Sequence, residues 1–181
     1  MAEIKSFKPV KLICGLIFSQ PEIRERAAEL LEVRFGPIDL ESQAFPFNYT
    51  NYYEAEMGKN LKRAFLSFSE LISPELLPKI KITTNSLEKE LISYFPEIKR
   101  PVNLDPGYLT PAALILATTK DFSHRIPLSQ GIYAHLEFLF TRKGVKLLDW
   151  TYPDFHQPGY QEFFQTVRQI YLSQLRKLEK K

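Results

Sequence analysis

The apolar run VKLICGLIF, residues 10–18, constrains the fold of this chain more than any other segment. It follows a proline, contains β-branched residues and stops at a Ser-Gln-Pro sequence, which is typical of a buried central strand. Immediately after it, Pro21 and Glu22 provide the chemistry of a first helical turn. Apolar residues then recur every three to four positions as far as Gly36, so we expect a helix between Pro21 and Gly36.

The remainder of the chain repeats these two patterns. Strand-like alternation marks several segments, and a Thr-Arg-Lys-Gly turn joins the last two of them as a hairpin. The predicted strands are 38–47, 63–72, 131–140 and 145–150, and the further predicted helices are 74–95 and 159–178. We therefore expect a single domain over 1–181 with an α+β fold. Its mainly antiparallel sheet would have a ferredoxin-like β-α-β-β-α-β start, a C-terminal β-hairpin extension and a closing helix.

One more strand is needed to complete the ferredoxin-like unit. It would lie near Val102 or Ala112. Residues 112–119 are a short apolar run, and such a run is compatible with a strand or with a buried helix. Both alternatives stay open from the sequence.

Residues 131–140 alternate between apolar and polar side chains. Strict alternation puts Leu136 and Phe138 on one face of the strand, and His135 and Glu137 on the other. No partner for His135 is visible in the sequence, so we predict no functional role for it.

Composition excludes several classes of protein. The formal net charge is +3, so the electrostatic field is weak and the sequence disfavours nucleic acid as a partner. A single cysteine excludes an internal disulfide and a multi-cysteine zinc site, and it fits a reducing compartment. The N-terminal segment lacks the apolar core of a signal peptide, and no apolar run approaches the roughly 18 residues of a membrane span. We expect a cytoplasmic protein with no membrane partner.

Motifs of the common enzyme classes are absent from the sequence. The chain has no GxxxxGK[ST] loop for a triphosphate, no GxGxxG loop for a dinucleotide, and neither HExxH nor GxSxG. With three histidines and one cysteine, a metal site would need several oxygen ligands, which favours Mg²⁺ or Mn²⁺ over structural zinc. If the chain is an enzyme, phosphoryl transfer or hydrolysis therefore fits better than redox chemistry.

Three segments combine carboxylates with aromatic residues at the ends of predicted strands. They are YYEAEMG (52–58), NLDPGYLTPAALILATTKDFSHRI (103–126) and DWTYPDF (149–155). A plain core or surface does not need this composition, whereas loops held by a rigid sheet often carry function. We expect the strand ends and the 48–60 loop to form one pocket.

Basic residues in the second of these segments predict an anion site. Lys120, His124 and Arg125 lie at the two ends of one short connection. A lysine charge, an arginine fork and a titratable histidine suit a phosphate or carboxylate ligand. The alternative is that Lys120 and Arg125 form ordinary surface ion pairs, which are worth about 0–1 kcal/mol.

Acidic residues predict a cation site next to it. The sequence DPGY at 105–108 has the chemistry of a tight turn, in which Asp105 would bond its own backbone. Beside Glu54, Glu56 and Asp154, however, Asp105 would help to hold a divalent cation such as Mg²⁺. The predicted catalytic residues are Asp105 and His124, and the predicted metal ligands are Glu54, Glu56 and Asp154.

Tyrosines in the same segments predict contacts with a ring. Tyr53, Tyr108 and Tyr152 would orient a ligand or stack on a base or a sugar. The alternative for such residues at strand ends is a half-buried core position with a solvated hydroxyl. Together with Lys120 and Arg125, these tyrosines complete the predicted ligand-binding set.

Several segments also carry a resemblance to a known family. They include KPVKLICGLIF, YYEAEMG, NLDPGYLTPAALILATTKDFSHRIPL and DWTYPDF. In this combination, from Lys8 to Arg168, the chain resembles the bacterial family known as domain of unknown function 4416. The resemblance implies no reaction; some members carry a GTP-binding label, but this sequence has no P-loop that would support it. The recurrent positions of the family match Tyr53, Glu54, Glu56, Asp105, Gly107, Tyr108, Lys120, His124, Arg125, Tyr152 and Asp154.

These observations favour a binding function. We expect the pocket to hold a phosphorylated or other anionic small molecule, for example a nucleotide, with or without Mg²⁺. The alternative is a non-catalytic module that binds a protein or RNA through exposed aromatic residues. The first hypothesis requires side chains that converge on one concave pocket, and the second requires a broad apolar patch.

Overall fold

The computed structural model describes residues 3–180 of the chain. Within this range the chain forms a nine-stranded sheet and four α-helices. The helices are α1 (Pro21–Phe35), α2 (Glu54–Met57), α3 (Leu77–Ile92) and α4 (Pro158–Leu178). The strands are β1 (Val10–Phe18), β2 (Ile38–Glu41), β3 (Phe45–Pro46), β4 (Lys62–Ile72), β5 (Val102–Leu109), β6 (Ala113–Thr118), β7 (Ile126–Pro127), β8 (Tyr133–Thr141) and β9 (Gly144–Leu147). No helix in the described part of the chain is long and apolar enough to cross a membrane.

The strands pair in the order β2-β4-β1-β5-β6-β8-β7, with β3 beside β4 and β9 beside β8. All of these pairings are antiparallel. The expected α+β fold with a mainly antiparallel sheet is confirmed. Residues 112–119, for which the sequence left a strand or a helix open, contain strand β6. The ferredoxin-like description of the first half stays a prediction; the strand order there is β2-β4-β1-β5.

Strand β1 lies inside the sheet between β4 and β5, as its apolar sequence predicts. Its side chains at even positions, such as Leu12 and Leu16, belong to a core that includes residues of α1 and α3. Its side chain at Ile13 belongs to a second core that includes residues of α4. The molecule therefore has three layers, with α1 and α3 on one face of the sheet and α4 on the other.

Aromatic side chains dominate the core between the sheet and α4. The ring of Phe65 in β4 lies 4.7–5.8 Å, centre to centre, from the rings of Tyr160, Phe163 and Phe164. Aromatic pairs in such geometries contribute about 0.5–1.5 kcal/mol beyond the burial of their area. This layer also holds the short 3-10 helix Pro153–His156, which begins beside the candidate functional site.

Strands β5 and β6 diverge, and this fork positions the candidate functional site. They pair only between Gly107–Leu109 and Leu114–Leu116, so the first half of β5 has a free edge. Helix α3 satisfies that edge. Lys81 Nζ donates to the carbonyl of Leu104, and Glu88 accepts from the N–H of Leu104, both over 2.7 Å.

The DPGY sequence lies within β5 and does not form the predicted tight turn. Pro106 has no partner in β6, so its missing N–H costs no hydrogen bond on that side. Gly107 allows the two strands to approach closely, because a Cβ at this position would lie 2.4 Å from the carbonyl oxygen of Ile115. The proline and glycine therefore serve the fork in the sheet rather than a turn.

A bulge in β8 corrects the prediction of strict alternation over 131–140. Opposite the step from Leu114 to Ile115, β8 contains one extra residue, Glu137. An extra residue shifts the side-chain alternation of a strand. As a result His135, Glu137 and Phe138 are all buried.

Candidate functional site

A cavity of about 580 Å³ opens at the fork between β5 and β6. Its walls come from the first half of β5, the end of β6 and helix α3, and also from segments 47–53 and 152–154. Segments that are distant in sequence therefore meet around one concave space. A cavity of this size at the ends of strands is typical of a small-molecule site.

The buried end of the cavity is built around Arg63, which lies between two carboxylates. Its Nη2 is 3.2 Å from Oδ2 of Asp105, and its Nη1 is 3.0 Å from Oδ2 of Asp154. Gly15 in β1 leaves room for the guanidinium, because a Cβ there would lie 3.1 Å from Arg63 Nη2. Burial raises the pKa of Asp154, while the charge of Arg63 opposes that rise. The positive charge of Arg63 is thus compensated inside the protein.

Asp105 is the more accessible carboxylate of this buried end. Its side chain is 25% exposed, compared with 5% for Asp154. Its Oδ2 accepts hydrogen bonds from Arg63 at 3.2 Å and from the Asn103 amide at 2.8 Å. Its Oδ1 accepts no hydrogen bond from the described residues; Lys81 Nζ lies 3.9 Å away. Asp105 Oδ1 is therefore available to a ligand.

Aromatic rings line much of the cavity, and its exposed edge, which we call the mouth, lies at Tyr52 and Lys120. The Lys120 ammonium is 4.7 Å from the centre of the Tyr52 ring. Within residues 3–180, Lys120 forms no ion pair with a carboxylate. The aromatic lining residues are Phe47, Tyr49, Tyr52, Tyr53 and Tyr152.

Tyr152 connects the cavity to a buried polar network formed with Arg125, His135 and Glu137. Arg125 Nη2 donates to the Tyr152 hydroxyl over 2.7 Å, and its Nη1 donates to the carbonyl of Lys120 over 2.8 Å. The His135 ring stacks on the Tyr152 ring with centres 4.9 Å apart. Glu137 Oε1 accepts from the backbone N–H of Tyr152 over 2.8 Å. The polar network thus fastens two loops of the cavity wall to β8.

Hydrogen-bond donors assign the tautomer of His135. Arg125 Nε can only donate and lies 3.3 Å from His135 Nδ1, so Nδ1 is the acceptor. The ring proton is then on Nε2, which lies 2.8 Å from Oε2 of Glu137. Burial raises the pKa of Glu137. His124 Nε2 is 3.1 Å from the same Nδ1, and burial together with the nearby charge of Arg125 lowers the pKa of His124. Neighbouring side chains therefore contact Nδ1 of His135, and its Nε2 lies beside the carboxylate of Glu137.

Comparison with known proteins adds a family to this geometry. The model of the family described as Domain of unknown function (DUF4416) matches residues 8–171. The chain belongs to this family. Searches of the curated proteins and of the solved structures find no match. All residues that line the cavity of this DUF4416 chain lie inside the matched range.

Five predicted site residues of the DUF4416 chain line the cavity. They are Tyr53, Asp105, Lys120, Tyr152 and Asp154. Arg125 and His124 do not line it, but both contact His135, which does. The structure therefore brings together most of the predicted catalytic and ligand-binding side chains.

Tyr108, also a predicted ligand-binding residue, does not line the cavity. It packs against Leu77 of α3 and against Ile132. This half-buried core position is the alternative that the sequence left open for such tyrosines. Alternation along β5 explains the result, because Asp105 and Tyr108 point to opposite faces of the strand.

The predicted metal ligands Glu54, Glu56 and Asp154 do not form a cluster. Glu54 is exposed on α2, and Glu56 lies near Lys99 and Arg100 at 3.5 and 3.9 Å. Among the residues that the structure describes, no group of three or more His, Cys, Asp or Glu side chains could hold a metal ion. The prediction of a cation site on these carboxylates needs correction, because Glu56 and Asp154 already pair with basic side chains.

Among the described residues that line the cavity, sequence reasoning missed five with a charged side chain or a histidine ring: Arg63, Lys81, Glu88, Arg100 and His135. A signal for Arg63 is present, since it stands two positions before Phe65 in a predicted strand and so shares its apolar face. The view that His135 has no partner is wrong; its partner Glu137 is two positions away in the same strand. Lys81 and Arg100 carry no comparable signal.

Proposed function

We propose that the cavity binds an anionic small molecule with a polar ring, such as a nucleotide or a sugar phosphate. The observation that carries the proposal is positive charge without a compensating carboxylate at the mouth and just behind it. Lys120 and Arg125 provide this charge. In the described part of the chain neither forms an ion pair with a carboxylate.

The charge balance of the lining supports an anionic ligand. Among residues 3–180, four cationic and three acidic side chains line the cavity, and Arg125 adds a further positive charge beside it. The three acids are near Arg63, Lys81 and Arg100, which leaves Lys120 as the lining cation without an acidic neighbour. An oxyanion at the mouth would complete the charge pairing.

Other lining groups suit the uncharged part of such a ligand. Tyr52 and Tyr53 offer ring faces for a base or a sugar. Asp105 Oδ1 offers an acceptor for a hydroxyl group. Nucleotides and sugar phosphates combine a ring, hydroxyl groups and an oxyanion, which are the three features that these residues would recognise.

If the ligand is turned over, Asp105 is the group best placed to accept its proton. Its side chain is the most exposed of the three lining carboxylates that the structure describes, and the neighbouring Arg63 and Asn103 hold one of its oxygens. Phosphoryl transfer or hydrolysis are the reaction types that an oxyanion ligand would bring. We assign no step to His124, which lies outside the cavity.

Isothermal titration calorimetry tests the binding proposal. The probes are AMP and ribose 5-phosphate, with adenosine and ribose as uncharged counterparts, each with and without Mg²⁺. We expect saturable binding of the phosphorylated probes, and at a hundred times Kd such a probe would add about 2.7 kcal/mol to the free energy of unfolding. Lys120→Ala should weaken binding about five-fold, which corresponds to about 1 kcal/mol.

Lys146→Ala is the matched control, since it removes an exposed lysine that does not line the cavity. It should leave the affinity unchanged. Failure of every probe to bind, or equal binding of AMP and adenosine, would contradict the proposal.

One observation favours a second function, that of an interaction module for RNA. Phe122 and Trp150 are 57% and 38% exposed, and both stack on His124, with ring centres 6.1 and 5.1 Å away. Exposed aromatic rings of this kind stack on unpaired bases. Fluorescence anisotropy would then show that a single-stranded RNA binds the protein and that Phe122→Ser weakens this binding. Neither Lys120→Ala nor competition by AMP should account for the RNA binding. Absence of RNA binding would reject this second function.

A further inference from the structure

We propose that the hydroxyl of Tyr152 is the donor that holds the oxyanion of the ligand, and that Arg125 acts on the ligand through this hydroxyl. This inference rests on the proposed function, because it concerns the same cavity. It differs from the sequence-based prediction, in which Arg125 itself binds the anion.

The direction of one hydrogen bond supports this assignment. Arg125 Nη2 lies 2.7 Å from the Tyr152 oxygen, and a guanidinium can only donate. The phenol oxygen is therefore the acceptor, and the hydroxyl proton is left for another partner. No acceptor for that proton exists among the residues that the structure describes, while Tyr152 lines the cavity. A ligand oxygen in the cavity is the partner that this proton lacks.

The charge behind Tyr152 makes its hydroxyl a strong donor. Arg125 is 8% exposed, and its hydrogen bonds go to Tyr152, His135, the Thr118 hydroxyl and the Lys120 carbonyl. None of these groups is an anion. A cation that donates to a phenol oxygen polarises the O–H bond and strengthens the next hydrogen bond in the chain. The positive charge of Arg125 thus acts on the cavity through Tyr152.

Glu137 is the nearest acid in the polar network, and it reaches Arg125 only through His135. Its Oε2 lies 2.8 Å from His135 Nε2, while the opposite ring nitrogen of His135 accepts from Arg125. The intervening neutral ring separates the two charges. Glu137 therefore reduces the charge of Arg125 less than a direct ion pair would.

Tyr152 is also held rigidly enough to act as a preorganised donor. His135 stacks on its ring at 4.9 Å, and Glu137 accepts from its backbone N–H at 2.8 Å. With Arg125 on the hydroxyl, contacts restrain the backbone, the ring and the oxygen of this residue. Donors fixed in this way stabilise an anion without the cost of reorganisation.

Lys120 completes the subsite. Its backbone carbonyl accepts a hydrogen bond from Arg125, which also donates to the Tyr152 hydroxyl. The Arg125 guanidinium therefore holds both Lys120, at the mouth, and Tyr152. An oxyanion placed between them would accept from the Tyr152 hydroxyl and from the Lys120 ammonium. Phosphate and carboxylate groups share this chemistry, and the probes below distinguish them.

Tyr152→Phe tests the proposal, because it removes the hydroxyl and keeps the ring that stacks on His135. The probes for calorimetry are inorganic phosphate, ribose 5-phosphate, gluconate and ribose. We expect the variant to bind the preferred oxyanion about ten- to a hundred-fold more weakly, as for the loss of a charge-assisted hydrogen bond. Tyr160→Phe is the matched control, since the buried Tyr160 hydroxyl has no hydrogen-bond partner among the described residues. Its affinity should equal that of the wild type.

A double-mutant cycle tests whether Arg125 acts through Tyr152. If it does, Arg125→Met in the Tyr152→Phe background should weaken binding no further, whereas independent contacts would give losses that multiply. In addition, 3-fluorotyrosine in place of Tyr152 is a more acidic phenol and should bind the oxyanion more tightly. A merely structural role of the hydroxyl would not produce that gain.

The outcomes separate the two proposals. If the wild type binds none of the probes, the proposed function fails and the Tyr152 assignment fails with it. If the wild type binds and Tyr152→Phe binds equally well, only the assignment of Tyr152 is overturned. If the losses multiply in the cycle, Arg125 contacts the ligand itself and its action through Tyr152 is overturned.

Discussion

Two buried arginines beside the cavity differ in how their charge is compensated. Arg63 is 5% exposed and lies between the carboxylates of Asp105 and Asp154. Arg125 is 8% exposed and hydrogen-bonds to groups that carry no negative charge. Burial of an arginine therefore does not by itself reveal its role. The compensated charge of Arg63 joins segments of the fold, whereas we propose that the uncompensated charge of Arg125 acts on a ligand in the cavity.

The same energetics explains both arrangements. Removing an ion from water costs several kcal/mol, and nearby opposite charge recovers that cost. Arg63 recovers it within the protein, and the two carboxylates in turn depend on Arg63. Arg125 recovers part of it through hydrogen bonds to neutral groups, and we infer that a bound oxyanion supplies the remainder.

The largest effect is expected for Arg63→Met. Loss of the guanidinium leaves two carboxylates without their partner, so the free energy of unfolding should fall by about 3–5 kcal/mol at neutral pH. Because burial raises the pKa of Asp154, protonation relieves the unpaired carboxylate, and the loss should be smaller at about pH 5 than at about pH 8. Urea unfolding at the two pH values measures both effects.

Arg24→Met is the control for Arg63→Met. Arg24 pairs with Glu41 at the surface, with side chains 25% and 44% exposed, so its loss should cost about 0–1 kcal/mol. A cost for Arg63→Met as small as that of Arg24→Met would remove the distinction between the two buried arginines.

An intermediate effect is expected for Arg125→Met. The variant loses hydrogen bonds to neutral groups and leaves no carboxylate unpaired, so the free energy of unfolding should fall by about 1–2 kcal/mol. Urea unfolding under the conditions used for Arg63→Met provides the measurement. If Arg125→Met lowered the free energy of unfolding as much as Arg63→Met, the charge of Arg125 would have to be compensated within the fold. The proposed difference between the two arginines would then be wrong.

The smallest effect is expected for Glu137→Gln, and it concerns pH. Burial raises the pKa of Glu137 above 4.5, and a carboxyl with a raised pKa loses its stabilising contribution as the pH rises through that value. The wild type should therefore lose stability relative to Glu137→Gln as the pH rises above 4.5.

Unfolding free energies of the wild type and Glu137→Gln, measured over a pH series, test this expectation. Glu162→Gln is the control variant, since it makes the same substitution at an exposed glutamate. A pH-independent difference for Glu137→Gln would indicate that Glu137 stays ionised beside His135. Its negative charge would then compensate Arg125 more fully than we infer.

Most elements could be predicted from sequence because each depends on local periodicity. Strand β1 and helix α1 match their predicted ranges closely, and the β8–β9 hairpin is where its turn chemistry indicates. Predictions failed where a contact distant in sequence decided the conformation. The DPGY segment contains strong turn residues, yet pairing with β1 keeps it extended. The bulge at Glu137 likewise depends on its register with β6.

The candidate site divides in the same way. The fold class and five of the lining residues could be predicted from the sequence because composition and spacing are visible along the chain, and the family could be recognised from the resemblance of its motifs. Tertiary structure alone decided which charges meet: that Arg63 lies between Asp105 and Asp154, that Arg125 lacks such partners, and that Glu56 pairs elsewhere. The physical reason is that charge compensation depends on distances of a few ångströms across strands and loops, and the order of residues in a chain does not contain those distances.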